Sequence, residues 1–207
     1  MSRPPNSKPI TIANALVRPR PSDLNQLASA EAGAFQARFR YQVFVEMLGW
    51  DLPCRDGMEL DQFDREDTVY LVAFKDSRVV GTARLLPTLR PYLLGEVFPA
   101  LMGPHPLPRD PAVWELSRFT AVDLDGGLAG VDATRQFSSA IAVELLRAAL
   151  HLASKHRVER LITVSPLGVE RLLRRAGFLA HRAAPPQIID GFPLFACWIE
   201  VPMQRND

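Results

Sequence analysis

Val69-Tyr70-Leu71-Val72-Ala73-Phe74-Lys75-Asp76-Ser77-Arg78-Val79-Val80-Gly81-Thr82-Ala83-Arg84-Leu85-Leu86-Pro87 decides the fold. Val69 to Phe74 is a continuous apolar run, suited to a strand buried on both faces. Asp76-Ser77 turns the chain, and Val79 to Leu86 reads as the next strand, ended by Pro87. The two strands form an antiparallel hairpin. Arg84 lies within it, and a charge in a buried strand is costly unless it is paired.

Upstream, Asp23 to about Leu48 favours helix: Ser22 or Asp23 can cap it, and it contains no proline. Phe35, Phe39, Val43 and Phe44 recur at helical spacing and suggest one buried face. Asp51 to Asp67 is polar and acidic and reads as a loop. Downstream, Tyr92 to Leu101 is a short helix or an irregular apolar segment, and the proline-rich stretch His105 to Pro111 is a loop. Val113 to Val122 is a third strand, and the glycine-rich segment Asp123 to Gly130 turns the chain. Thr134 to Lys155 is a helix with Ile141, Leu145, Ala148 and Leu152 on one stripe. Val158 to Val164 is a strand, Gly168 to Ala176 a short helix stopped by Gly177, and Phe192 to Val201 the last strand. This order gives a mixed α/β domain.

The 207 residues are enough for one such domain with a real core, and 47% of them are hydrophobic. We expect a flexible leader over Met1–Pro21 and a single domain over Ser22–Asp207. Lysine and arginine number 24 and aspartate and glutamate 23, which argues against nucleic-acid binding through bulk charge. Two cysteines do not make a disulfide framework, and the four histidines show no metal-ligand spacing. No apolar run is long enough to span a bilayer, and the start has no secretory h-region. A cytoplasmic, metal-free protein that binds neither membrane nor nucleic acid is expected.

Three segments carry chemistry: Arg40-x-x-Val43-Phe44 followed by Leu48-Gly49-Trp50; Glu59-x-Asp61-x-x-Asp64; and Trp114-Glu115-Leu116-Ser117-Arg118-Phe119. A carboxylate cluster in a loop is ordinarily solvated. Glu115 and Arg118 interrupt an apolar strand and therefore belong either to a structural ion-pair network or to a binding cleft. Phe44, Trp50 and Phe98 are core residues or walls of that cleft. Period two puts Glu115 and Arg118 on opposite faces of a regular strand, so both reach one site only through a bulge.

Together with Arg84, Pro91-Tyr92 and Phe98, these segments resemble, in order and spacing, the signature of LuxI-type acyl-homoserine-lactone synthases. Leu161-Ile162-Thr163-Val164, Gly168-Val169-Glu170 and Arg174-Arg175-Ala176-Gly177 resemble the family's later strand and helix. The resemblance implies a fold related to the N-acetyltransferases, a three-layer sandwich with a central twisted sheet flanked by helices. It implies an acyltransferase that joins an acyl chain from acyl carrier protein to S-adenosylmethionine, with S-adenosylmethionine a substrate and no cofactor. Glu115 is then the base for the attacking amine, directly or through water. Asp61 and Asp64 suit the positive side of S-adenosylmethionine, and Arg40, Arg84 or Arg118 holds its carboxylate or orders the acidic residues. Phe44, Trp50 and Phe98 wall the site beside Ser117.

An acyl tunnel needs apolar residues, for which Leu101, Met102, Leu116, Ile141, Leu145, Leu161 and Leu172 are candidates. Thr163 and Ser165 lie beside it. The family's position at Ser165 often carries threonine in enzymes preferring 3-oxo chains, and the missing methyl points toward an unsubstituted medium chain. Acyl carrier protein is strongly acidic, so Arg171, Arg174 and Arg175 form the expected docking patch; Arg171 and Arg175, at i and i+4, share a face. Three rivals remain: an acyl-CoA-dependent synthase, an ordinary N-acetyltransferase, and a non-enzymatic acyl-binding module. The second lacks a basic residue for a pyrophosphate within Asp123–Gly130. The third has no use for Glu115, Arg118 and Arg84 together.

Overall fold

The structure, a computed structural model, describes residues 10–16, 26–122 and 140–202. The expected turn over 123–130 and the start of the helix expected from Thr134 lie outside the described residues. The chain runs β1 (Thr11–Leu16), α1 (Gln26–Arg40), β2 (Cys54–Arg55), β3 (Met58–Glu59), β4 (Val69–Lys75), β5 (Arg78–Pro87), α2 (Leu93–Val97), β6 (Val113–Ala121), α3 (Ala140–Lys155), β7 (Arg160–Pro166), α4 (Val169–Arg175), β8 (Ala180–Arg182), β9 (Gln187–Ile189) and β10 (Phe192–Glu200). A π-helical segment, Tyr41–Met47, extends α1, and a 3₁₀ turn, Pro99–Met102, follows α2.

The main sheet has the order β1-β4-β5-β6-β7-β10-β8, with β9 added to β10. β4 and β5 form the expected hairpin, Tyr70 opposite Arg84 and Leu71 opposite Ala83. β6 and β7 are parallel and pair only over Val113–Glu115 against Arg160–Ile162. Beyond those pairs β6 stays with β5 as far as Ala121 and β7 stays with β10 as far as Pro166. The sheet therefore divides after Glu115.

One face is covered by α3 and α4. Leu71, Ala83, Leu85, Leu116, Leu145, Leu161, Phe195 and Ile199 are buried there. The other face carries α1, α2 and the 3₁₀ turn, with Phe63, Leu86, Leu94, Leu101, Ile162 and Ala196 buried beneath them. Alternation along the strands supplies both faces, as in Leu161 and Ile162, which project to opposite sides. The result is the three-layer arrangement that the resemblance implies.

Several expectations change. The segment read as a leader contains β1, which pairs antiparallel with β4 from Thr11 opposite Phe74 to Leu16 opposite Val69. The loop over Asp51–Asp67 encloses the β2–β3 hairpin. Of the expected face Phe35 is half exposed, whereas Phe39, Val43 and Phe44 are buried along α1 and its π-helical extension, together with Gln36, Ala37 and Arg40. On α3 the fully buried stripe is Ile141, Leu145, Ala149 and Ala153 with Ala142, Leu146 and Leu150; Ala148 and Leu152 flank it.

Candidate active site

The bulge required by Glu115 and Arg118 is present. Arg84 pairs with Ser117 but Thr82 pairs with Thr120, so Ala83 faces two residues, Arg118 and Phe119. Arg118 takes the extra position with φ +49°, a conformation a non-glycine residue adopts only where its surroundings hold it. The offset turns Arg118 toward the α1 face and puts Phe119 into the core on the other.

On the α1 face three arginines meet three carboxylates. Arg40 donates to Glu59 through Nε and to Asp64 Oδ1 at 2.9 Å through Nη1. Arg84 Nη1 donates to Asp61 Oδ1 at 2.6 Å and Asp64 Oδ1 at 3.2 Å, and its Nε to Ser117 Oγ at 2.9 Å. Arg118 Nη2 donates to Glu59 Oε1 at 3.0 Å and Asp61 Oδ2 at 2.9 Å. Tyr70 accepts from Arg40 Nη1 at 2.8 Å and donates to Asp64. Asp61 also accepts from the Phe63 N–H, and Asp64 from the Asp61 N–H at 2.6 Å. The carboxylates read as a solvated loop are thus buried: the side chains of Glu59, Asp61 and Asp64 are 0%, 5% and 3% exposed. Pairing makes this tolerable, because each carboxylate meets two arginines and the charges cancel.

The local fields follow. Burial alone would raise the Asp61 carboxyl, but Arg84, its hydrogen bond, Arg118 and Arg40 outweigh burial and hold Asp61 below the ordinary range. Burial likewise works against the Arg40 charge, and Asp64, Glu59 and Asp61 more than restore it. Arg84 Nη2 is buried without a hydrogen-bond partner among the described residues. Such a donor is costly to leave unmet.

Glu115 occupies the last paired position before the sheet divides. It is fully buried, and its oxygens accept the N–H groups of Leu93 at 2.9 Å and Leu94 at 2.6 Å, at the start of α2. Burial pushes its carboxyl up to about 7, against the pull of those two N–H groups, Arg84 and Arg118. A group that titrates near neutrality can exchange a proton under working conditions.

The opposite face holds a small pocket lined by Leu116, Phe119, Leu146, Thr163, Ser165, Val169, Leu173 and Ile199. It lies where β6 and β7 part, between the sheet and helices α3 and α4. Of the tunnel candidates only Leu116 lines it. Leu101 and Met102 lie on the other face, and Ile141, Leu145 and Leu161 are packed in the core. Leu172 is turned aside, and Val169 and Leu173, one turn apart on α4, take its place. Ser165 Oγ is buried there without a partner among the described residues.

Phe44 is buried and Trp50, 46% exposed, stacks on it with centroids 5.0 Å apart. Phe98, at the end of α2, is partly buried against the cluster beneath α2. Arg171, Arg174 and Arg175 are exposed on α4. Arg174 is tied into the fold, to Glu170 at 2.7 Å and to the Ala180 carbonyl at 2.7 Å. Arg171 and Arg175 have no ion-pair partner among the described residues. The site residues that sequence reasoning passed over are Glu59, Tyr70 and Gln36. Glu59 was visible as the first carboxylate of its cluster, whereas Tyr70 was hidden in an apolar run. Gln36 occupies an apolar stripe position on α1, fully buried, with Oε1 3.4 Å from Arg40 Nη1.

The sheet thus divides with a buried carboxyl that titrates near neutrality on one face and an apolar pocket on the other. An acyl-CoA N-acyltransferase from Pseudomonas aeruginosa shares this fold, at a TM-score of 0.57 over 93% of this chain and 99% of that one, with 16% identity. The chain belongs to the autoinducer synthase family, whose model matches residues 25–203. An acyl-homoserine-lactone synthase of Acinetobacter nosocomialis is 54% identical over 164 residues, 79% of this chain and 88% of the relative. The crystal structure of TofI in a ternary complex with an inhibitor and MTA matches at a TM-score of 0.73 and 40% identity, over 92% of this chain and 91% of TofI. BjaI, a CoA-dependent acyl-homoserine lactone synthase seen with SAM and isopentyl-CoA, matches at a TM-score of 0.77 and 27% identity, over 94% of this chain and 84% of BjaI. The chain is accordingly an enzyme, an acyltransferase of the acyl-homoserine-lactone synthase family.

Proposed function

We propose that this enzyme transfers a medium acyl chain from acyl carrier protein to the amine of S-adenosylmethionine and closes the lactone, releasing methylthioadenosine, to make a diffusible quorum-sensing signal. The observation that carries the reading is Glu115, buried at the point where the sheet divides, with its carboxyl poised near 7. The amine attacks the thioester carbon and must lose a proton, and Glu115 takes it directly or through water. The N–H groups that face the gap between β6 and β7 suit the oxyanion that forms. Collapse of the adduct expels the carrier thiolate. The methionine carboxylate then attacks its own γ-carbon, and the C–S bond breaks with its electron pair going to sulfur. That step needs the carboxylate held in line.

The arrangement also distributes the ionic roles. The oxygens of Asp61 and Asp64 are taken up by arginines, Tyr70 and backbone N–H groups, so these residues act on substrate by fixing the arginines. Arg84, with Nη2 unmet, is the arginine that suits the substrate carboxylate. Phe44 and Trp50 wall the S-adenosylmethionine side. The acyl chain enters the pocket on the other face. Ser165 Oγ, buried without a partner among apolar neighbours, favours a second reading of the chain, one that carries an oxygen substituent, over an unsubstituted one.

The test is to incubate the purified enzyme with S-adenosylmethionine and a panel of acyl carrier protein and acyl-CoA thioesters, 3-substituted and unsubstituted. Mass spectrometry follows the lactone and methylthioadenosine together. Equimolar appearance of both from a carrier-protein thioester is the expected result. Preference for acyl-CoA would overturn the donor assignment, and acylation without methylthioadenosine would overturn lactone synthesis.

A further inference from the structure

At the end of β7 the outer surface beside α4 becomes apolar. Leu167, the residue after β7, is 41% exposed and Ile188 on β9 is 72% exposed. Their strands flank β10. Leu194 pairs with Pro166 on one side and Gln187 on the other, and Pro193 pairs with Ile188. Residues directly opposite share a face, and Phe195 opposite Ser165 fixes which face this is. Pro193 and Ile188 therefore project to the side of the sheet that holds the pocket. Phe192, 67% exposed, is one position out of phase and projects to the other side.

Pro193 and Ile188 thus form an apolar row on two adjacent strands, and Leu167 opens the turn that leaves β7 after Pro166, the residue opposite Leu194. Leu167 stands in the chain between Ser165 and Val169, both of which line the pocket, so the row lies at its rim. α4 starts two residues after Leu167 and carries three arginines and one glutamate; it leads away from the row, with Glu170 at Arg182, opposite Cys197, and Arg174 at Ala180, opposite Ile199. Glu170 is occupied by Arg174 and by Arg182 at 2.7 Å. Arg171 and Arg175 are left to project from this helix, Arg171 in its first turn and so the nearer of the two to the apolar strip.

An apolar row with a basic border at the rim of an acyl pocket fits an acidic partner that also presents apolar surface. A coenzyme A diphosphate would use the arginines and gain nothing from Ile188. We propose that the tip of the β9–β10 hairpin, through Ile188 with Pro193 and Leu167, is the apolar half of the docking surface for acyl carrier protein. An acidic helix of that protein meets Arg171 at the start of α4 and buries its apolar edge on this row. This rests on the carrier-protein reading above and adds to it a surface element outside the arginine patch.

The experiment compares Ile188→Ser with Phe192→Ser in the full chain. Both residues are exposed on one hairpin, so both variants should fold, which thermal unfolding checks. Steady-state lactone synthesis gives KM for a medium-chain acyl carrier protein and, separately, for S-adenosylmethionine. Ile188→Ser should raise the carrier-protein KM about tenfold, as loss of an interface anchor does. Its KM for S-adenosylmethionine and both constants of Phe192→Ser should stay at wild-type values. An unchanged carrier-protein KM in Ile188→Ser, or an equal rise in Phe192→Ser, overturns the proposal. So does a fall in mass by light scattering with KM unchanged, which would make the row a contact between two copies of this chain. Lactone formed only from acyl-CoA overturns this surface and the donor assignment but leaves lactone synthesis standing. No lactone from any thioester overturns the functional reading itself.

Discussion

Replacing Glu115 with glutamine probes chemistry and stability at once. The carboxyl is fully buried and rises from an ordinary 4.5 to about 7 in the folded chain. Folding therefore favours its neutral form. The stability linked to this group is complete below pH 4.5 and is lost as the pH rises through 7. A shift of that size corresponds to about 3 kcal/mol at 1.36 kcal/mol per pH unit. Glutamine does not titrate, so the variant escapes the loss. Its amide keeps one acceptor for the Leu93 and Leu94 N–H groups instead of two, an offset that does not change with pH. About three quarters of that loss falls between pH 5 and pH 8, so the difference in Tm, variant minus wild type, should rise over this range by roughly 5–10 °C for a chain of this length. Over the same range kcat/KM of the wild type should climb with an apparent pKa near 7. Acylation by the variant should fall about 10²- to 10⁴-fold, the usual worth of a general base. Differential scanning fluorimetry at five pH values and a thiol-release assay supply both readings. A flat Tm difference would refute the raised carboxyl, and activity within tenfold of wild type would refute the base.

Asp61→Asn removes one of three negative charges from the buried cluster and leaves Arg84 and Arg118 short of a partner; urea denaturation should show a loss of about 3–5 kcal/mol. Reversing Arg171 and Arg175 to glutamate should raise KM for acyl carrier protein about tenfold or more and leave KM for S-adenosylmethionine alone, because like charge now faces an acidic partner. Leu146→Trp fills the pocket between α3 and the sheet, at an overpacking cost of about 1–3 kcal/mol. Its lactones, profiled by mass spectrometry, should shift to shorter chains.

The sequence was most informative where a local rule was broken. Glu115 and Arg118 cannot share a side of a regular strand, and the bulge at Arg118 resolves that conflict. The hairpin Val69–Pro87 was legible because its apolar run and its turn agree. The fate of Asp61 and Asp64 was not. Asp61's partners Arg84 and Arg118 and Asp64's partners Arg40 and Arg84 lie 20 and more positions away, and a carboxylate pair in a polar loop carries no mark of the arginines that will close over it. Tyr70 was concealed because a phenol ring satisfies an apolar pattern while its hydroxyl does polar work. The β9–β10 turn was readable and was missed: Asp190-Gly191, with φ +51° and +82°, is the two-residue signal that joins antiparallel strands. On α4 the i, i+4 relation placed Arg171 and Arg175 together. Leu172, by contrast, was taken for a pocket residue because nothing in the local sequence distinguishes it from Leu173.

Three arginines matched to three carboxylates make every single charge-changing step at the cluster a costly one. Any one neutralising change strands a buried charge, whereas a paired loss of one arginine and one carboxylate restores the sum but opens a hole two side chains wide. Drift at these six positions is therefore arrested by arithmetic as well as by catalysis. If the pocket on the far side of the sheet takes the acyl chain as proposed, divergence in substrate choice falls to residues such as Leu146, Thr163 and Ser165, where one methyl group more or less breaks no charge balance.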